Sequence, residues 1–135
     1  MTPTEYLCHI ARQVLIKHKF LLDMDSEDAA HTFRIRTLQI TEGPKIKFVS
    51  FEPLLGPISK PDLTGINQII IGGESGENPR AMKVEWAQDL IDWTRTNYPD
   101  CAIFFKQMGG KGKDGAGGDI INGQQFHEYP QYQNK

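Results

Sequence analysis

The chain has 135 residues, enough for one domain with a single modest core. An apolar share of 39%, a charged share of 24% and a formal net charge of −2 fit a folded soluble protein. They give neither the basic face of a dedicated nucleic-acid binder nor the acidity of a DNA mimic, although a local patch for nucleic acid is not excluded. No apolar run approaches the ~20 residues that cross a bilayer and no secretory leader pattern opens the chain, so a cytoplasmic protein without a membrane partner is expected.

In chain order, Thr2, Pro3 and Glu5 form a capping box, and Leu7, Ile10, Ala11, Val14, Leu15 and His18 follow the spacing of one buried helical face. His9 falls on the solvated side, and Phe20–Met24 reads either as a short strand or as helix end and connector. A second helix is expected from Ser26 to Ile40, with Ala30, Phe33, Thr37 and Ile40 inward and Arg34 and Arg36 outward. Strands follow at 45–51 and 66–73, the latter nearly all apolar and therefore central in a parallel sheet. A helix is expected over 84–98, with Val84, Ala87, Leu90, Ile91 and Thr94 inward, and a third strand over 101–108. Strand, helix and strand in that order is the βαβ pattern, with its right-handed crossover. Trp86 and Trp93 lie on a flank of that helix, where packing against a neighbour is the simplest reading.

Residues 109–118, "GGKGKDGAGG", contain six glycines but no Gly-Lys-Ser/Thr opening a helix, so a phosphate loop is not indicated and a mobile connector is expected. Asn122-Gly123 signals a hairpin turn. His127 is expected at the surface of a C-terminal tail that frays over its last residues. The two cysteines, Cys8 and Cys101, have no metal-type spacing and read as small buried hydrophobes. No metal site is expected.

Each strand breaks into charged residues with glycine or proline, and ligands of parallel sheets sit beyond the carboxyl ends of the strands. The candidate ligand-binding residues are therefore Ser50 and Glu52 on the first strand, Gly73, Glu74 and Ser75 after the second, Arg80 beyond it, and Lys106 and Gln107 on the third. Glu74 and Lys106 are expected to be neighbours, either as an ion pair closing the sheet or as an acid–base pair. Arg80 can clamp an anion or make a salt bridge at the entry to the next helix. No catalytic residue is singled out with force.

The segments "KFVSFEPLLGPI", "IIIGGESGENPRAM", "FFKQMG" and "GGDIINGQQFHEYP" resemble, in order and spacing, the Gp-thirty-seven/Gp-sixty-eight family of phage proteins. The resemblance runs from about residue 26 to residue 130 and includes "SEDAAHTFRIRTL" before the first motif. It implies an α/β fold: a short, mostly parallel sheet with flanking helices, like a fragment of a (β/α) barrel related to radical S-adenosylmethionine enzymes. The cysteine-rich cluster motif of such barrels is missing, so no cofactor is expected. The resemblance then implies a small phage or prophage protein that binds a host protein, such as a CRISPR effector whose defence function it would inhibit. The alternative is an enzyme or small-ligand binder built on the retained strand ends. Self-association is expected under either reading, since a partial barrel leaves strand edges uncovered.

Overall fold

The computed structural model describes residues 29–131, with side chains from Arg34 onward. The expected first helix, with Cys8, His9 and His18, the Phe20–Met24 segment and the last four residues lie outside the described residues. The elements are α1 (Ala29–Ile40), β1 (Phe48–Phe51), β2 (Gln68–Gly72), β3 (Ser75–Gly76), α2 (Val84–Asn97), β4 (Ala102–Gln107), β5 (Gly110–Lys111), β6 (Ile120–Ile121) and β7 (Gln124–Gln125). The fold is α/β, and no barrel closes among the described residues.

The main sheet has the order β1-β2-β4, with both pairings parallel. β2 is central, as its apolar run implies: Ile69 and Ile71 are fully buried. Alternation along the strands gives the sheet two unlike faces. Val49, Phe51, Ile69, Ile71, Ile103 and Phe105 join the hydrophobic core, together with Ile35 of α1 and Ala87, Leu90 and Ile91 of α2. Both helices therefore pack on one face. The other face carries Phe48, Ser50, Ile70, Phe104 and Lys106, and becomes polar toward the carboxyl ends.

The parallel connection from β1 to β2 contains no helix. Pro53, Pro57 and Pro61 recur every four residues, and each would remove a helical hydrogen bond and clash with the preceding turn. The segment instead follows an irregular path that still feeds the core, since Leu54, Leu63 and Ile66 are buried. Asp62 holds its turn by accepting from the Thr64 N–H (2.9 Å) and hydroxyl (2.6 Å), and these bonds keep its carboxyl below the usual range. Trp93 donates its indole N–H to the Pro61 carbonyl at 3.0 Å, so this tryptophan braces the connection.

α2 buries the expected stripe, Ala87, Leu90, Ile91 and Thr94, with Val84 partly buried. α1 departs from expectation. Its described contacts with the core come from Ile35 and Leu38, whereas Thr37 is exposed and Ile40 is 62% exposed. Ile35 and Leu38 set the buried side, and Gln39 beside them donates its side-chain amide to the carbonyls of Asp62 (3.1 Å) and Thr64 (2.9 Å); the side chains of Ala30 and Phe33 lie outside those described. Arg36 is exposed, as expected.

Asn122 and Gly123, both at positive φ, turn β6 back onto β7 in a two-residue hairpin. Cys101 is buried, and loss of solvent pushes its thiol up to about 12, which leaves it unreactive at neutral pH.

The segment after the hairpin is not a loose tail. Phe105 donates its N–H to the Phe126 carbonyl (2.7 Å) and Glu128 donates to the Ile103 carbonyl (3.0 Å), which adds an antiparallel strap to the outer edge of β4. His127 keeps an exposed side, but its ring stacks on Phe104 at 4.6 Å and its Nε2 lies 2.8 Å from Asp119. The Glu128 carboxylate accepts from the Ile103 N–H (2.9 Å) and from both terminal nitrogens of Arg95.

Partial burial raises the Glu128 carboxyl pKa, but the Arg95 and Ile103 donors outweigh it, and the net shift is downward. Such a group stabilises the fold fully above its ordinary value of 4.5 and loses that contribution as pH falls through its lower folded value. Acidification below about 4.5 is therefore expected to release the strap first. Amide exchange at Phe105 and Glu128 should accelerate in acid relative to Ile71, after correction for intrinsic rates. In Glu128→Gln this added acid sensitivity should disappear.

Candidate functional site

The carboxyl ends of β1, β2 and β4 meet at a cleft of about 300 Å³. Glu52, Gly73, Glu74, Ser75, Arg80 and Gln107 line it, so three separated sequence motifs converge on one place. Pro53 and Asp114 complete the lining. Asp114 was not among the expected residues: it comes from the glycine-rich segment, whose single acidic residue was the available signal.

The convergence depends on backbone proximity. β2 and β4 lose register at Ile71/Gly72, and the chain then runs from Gly73 directly beside Met108. A Cβ at Gly73 would lie 2.0 Å from the Met108 carbonyl oxygen. Gly109, at φ +90°, passes as closely on its side, where a Cβ would lie 2.6 Å from the Glu74 carbonyl oxygen. The Gly73 N–H donates to the Gln107 carbonyl (2.9 Å), and the Gly110 N–H donates to the Glu74 carbonyl (2.8 Å). β3 and β5 then pair in parallel and carry the two strand ends forward together as a wall.

The expected Glu74–Lys106 pair is not formed. Lys106 donates instead to Glu52 Oε1 at 3.1 Å, because both side chains rise from the sheet face opposite the helices. Glu52 is 7% exposed, and its side chain packs over Gly72, where a Cβ would stand 3.3 Å from its carboxyl carbon. Its peptide bond to Pro53 is cis. Glu74 lies across the cleft and accepts from the Arg80 guanidinium Nε (3.0 Å) and Nη2, and from the Arg80 N–H (3.3 Å). Arg80 thus makes the salt bridge that was one of its two expected roles.

Ser75 donates its hydroxyl to Asp114 Oδ1 at 3.2 Å. Gln107 is 1% exposed and holds two backbones together: its amide nitrogen donates to the Gly73 carbonyl (2.7 Å), while its amide oxygen accepts the Gly115 N–H. Ser50 lies beneath Glu52 on the same face, fully buried, and its hydroxyl has no hydrogen-bond partner. It does not line the cleft.

The lining offers three carboxylates and one cation, Arg80, which can orient a polar molecule from several sides; Lys106, although paired with Glu52, does not line the cleft. Glu52 and Lys106 are also within reach for proton exchange. Among the described residues, no three His, Cys, Asp or Glu side chains are grouped so as to hold a metal ion. No described helix is long and apolar enough to cross a membrane. A larger groove, about 930 Å³, lies at the opposite end of the sheet between Lys45, Asn67, Asp100 and Tyr129, away from the residues that converge.

Two pairs of substitutions probe this construction. Gly73→Ala should cost about 1–3 kcal/mol or more in urea unfolding, because backbone must shift to admit the methyl group. Gly56→Ala, with nothing within 4 Å of the added carbon, should stay within about 0.5 kcal/mol. Lys106→Met should cost about 1–3 kcal/mol by leaving the buried Glu52 carboxylate unpaired. Adding Glu52→Gln to Lys106→Met should recover part of that loss, which a double-mutant cycle would measure.

No curated protein sequence matches the chain. No solved structure matches it either. A family model described as a protein of unknown function, DUF5131, matches residues 8–130, and with that span covering most of its length the chain belongs to this family.

Proposed function

We propose that the protein is a small α/β ligand-binding module that holds a polar, metabolite-sized molecule in the strand-end cleft. The observation that carries this reading is the convergence of Glu52, the paired Glu74 and Arg80, and Asp114, from three separate parts of the chain, on one opening of about 300 Å³. That volume is at the lower end of the range typical of small-molecule sites. Groups of both signs line it, which suits a ligand with hydrogen-bond donors and acceptors over a purely apolar one. The backbone around Gly73 is already engaged in holding the site, so recognition falls to the side chains. Arg80 is half exposed, and its exposed pair with Glu74 is worth only about 0–1 kcal/mol, so exchanging it for a ligand costs little.

The test is an amide NMR titration, backed by thermal shifts, with amino acids, dicarboxylates, nucleosides, nucleotides and polyamines at millimolar concentration. Saturable shifts confined to 72–80 and 107–115, weakened at least tenfold by Arg80→Leu, would support the reading. Absence of saturable shifts across the panel, or shifts at the opposite groove, would overturn it. Recognition of a host protein, a defence nuclease included, would then become the leading reading.

A further inference from the structure

We propose that the segment from Lys111 to Gly117 is a lid over the strand-end cleft and that the buried Gln107 amide is its latch. This rests on the cleft being the binding site. The lid's base is fixed by backbone bonds: Met108 N–H donates to the Gly118 carbonyl (2.8 Å), Gly109 to Ala116 (2.9 Å) and Gly112 to Gly76 (3.0 Å). Its tip is held differently. Within the turn, the Lys113 and Gly115 carbonyls accept from the Ala116 (3.0 Å) and Gly118 (3.1 Å) N–H groups. Beyond these local bonds the Gly115 N–H meets the Gln107 side chain and the Asp114 carboxylate meets the Ser75 hydroxyl, and among the described residues no other hydrogen bond joins residues 113–115 to the rest of the fold.

Apolar packing does not anchor the tip. From Lys111 to Gly118 every residue is exposed except Ala116, which is partly buried. All four glycines of the stretch hold positive φ, so its path is set by backbone conformation with few side chains to lock it. Segments with few buried contacts and little hydrogen bonding open at low free energy.

The same amide of Gln107 grips the Gly73 carbonyl on the cleft floor and the Gly115 N–H on the lid. Position of the lid is thereby tied to the geometry of the floor. Asp114 is the lid's own contribution to the lining, so a ligand in the cleft gains a contact only when the lid is down. Occupancy therefore favours closure.

Hydrogen exchange followed by NMR on the ligand-free protein tests the lid directly. The Gly115 amide should show a protection factor at least tenfold below those of Ile71 and Phe105. Gln107→Met should accelerate Gly115 by roughly another tenfold beyond any change at Ile71 and Phe105, which report the loss of the Gly73 bond on the whole fold. Should Gln107→Met fail to fold, the exposed Asp114→Ala replaces it, with an expected acceleration of about two- to fivefold confined to 113–116. Gly115 exchanging in step with Ile71 and Phe105 would overturn the proposal, as would a variant that accelerates all three equally or leaves Gly115 unchanged. Because these rates are read without ligand, the lid and the ligand-binding reading can fail independently.

Discussion

The site depends on a single close crossing of backbone, where the chain leaving β2 at Gly73 runs against Met108 and Gly109 at the end of β4. Two peptide segments approach there to distances that no side chain would allow. From that contact follow the loss of register at Gly72, the pairing of β3 with β5 and the placement of Glu74 opposite Glu52. The crossing also puts Gln107 under the glycine-rich segment, where one amide can hold two backbones. Polar side chains on either strand end would otherwise splay apart into solvent.

A second constraint acts from beneath. Both helices lie on one face of a three-stranded parallel sheet, so apolar side chains concentrate on that face and the other is free to carry polar ones at its carboxyl end. The proline-spaced connection between β1 and β2 contributes apolar side chains without a helix. Glu52 can therefore be nearly buried yet point away from the core, with Lys106 beside it. The charge of the cleft is organised as two separate pairs, one rooted in the sheet and one in the loop beyond β2. Of the four side chains only Glu52 is nearly shielded from solvent.

Much of this was legible in the residues. The apolar run of β2, the stripe on α2 and the Asn-Gly turn each have a local physical cause, and each stands where that cause put it. The convergence of the strand ends followed from parallel topology alone. Partners did not, because pairing depends on which sheet face a side chain leaves from and on where the backbone breaks register. Lys106 could be matched with Glu52 only once the bulge after Ile71 was known. At the end of α1, Thr37 and Ile40 were misjudged, because Ile35 and Leu38, three residues apart, offered an equally spaced apolar pair and the structure buries that one. The glycine-rich segment read as a connector because its fixed points are backbone groups and a glutamine ten residues or fewer away, and neither leaves a compositional trace. For the same reason Asp114 passed unnoticed.

The strap over β4 has a consequence for how the protein is made. Phe126 and Glu128 bond to a strand begun more than twenty residues earlier, and Glu128 also joins Arg95 of α2 and the Gln68 side chain of β2. During synthesis, β4 therefore emerges with one edge open and stays so until residues 126–128 have left the ribosome. Over that interval the unpaired N–H and C=O groups of an apolar strand are available to a neighbouring chain. Closure of that edge therefore follows the other strand pairings of the sheet, since β1, β2 and β4 all precede residues 126–128 in the chain.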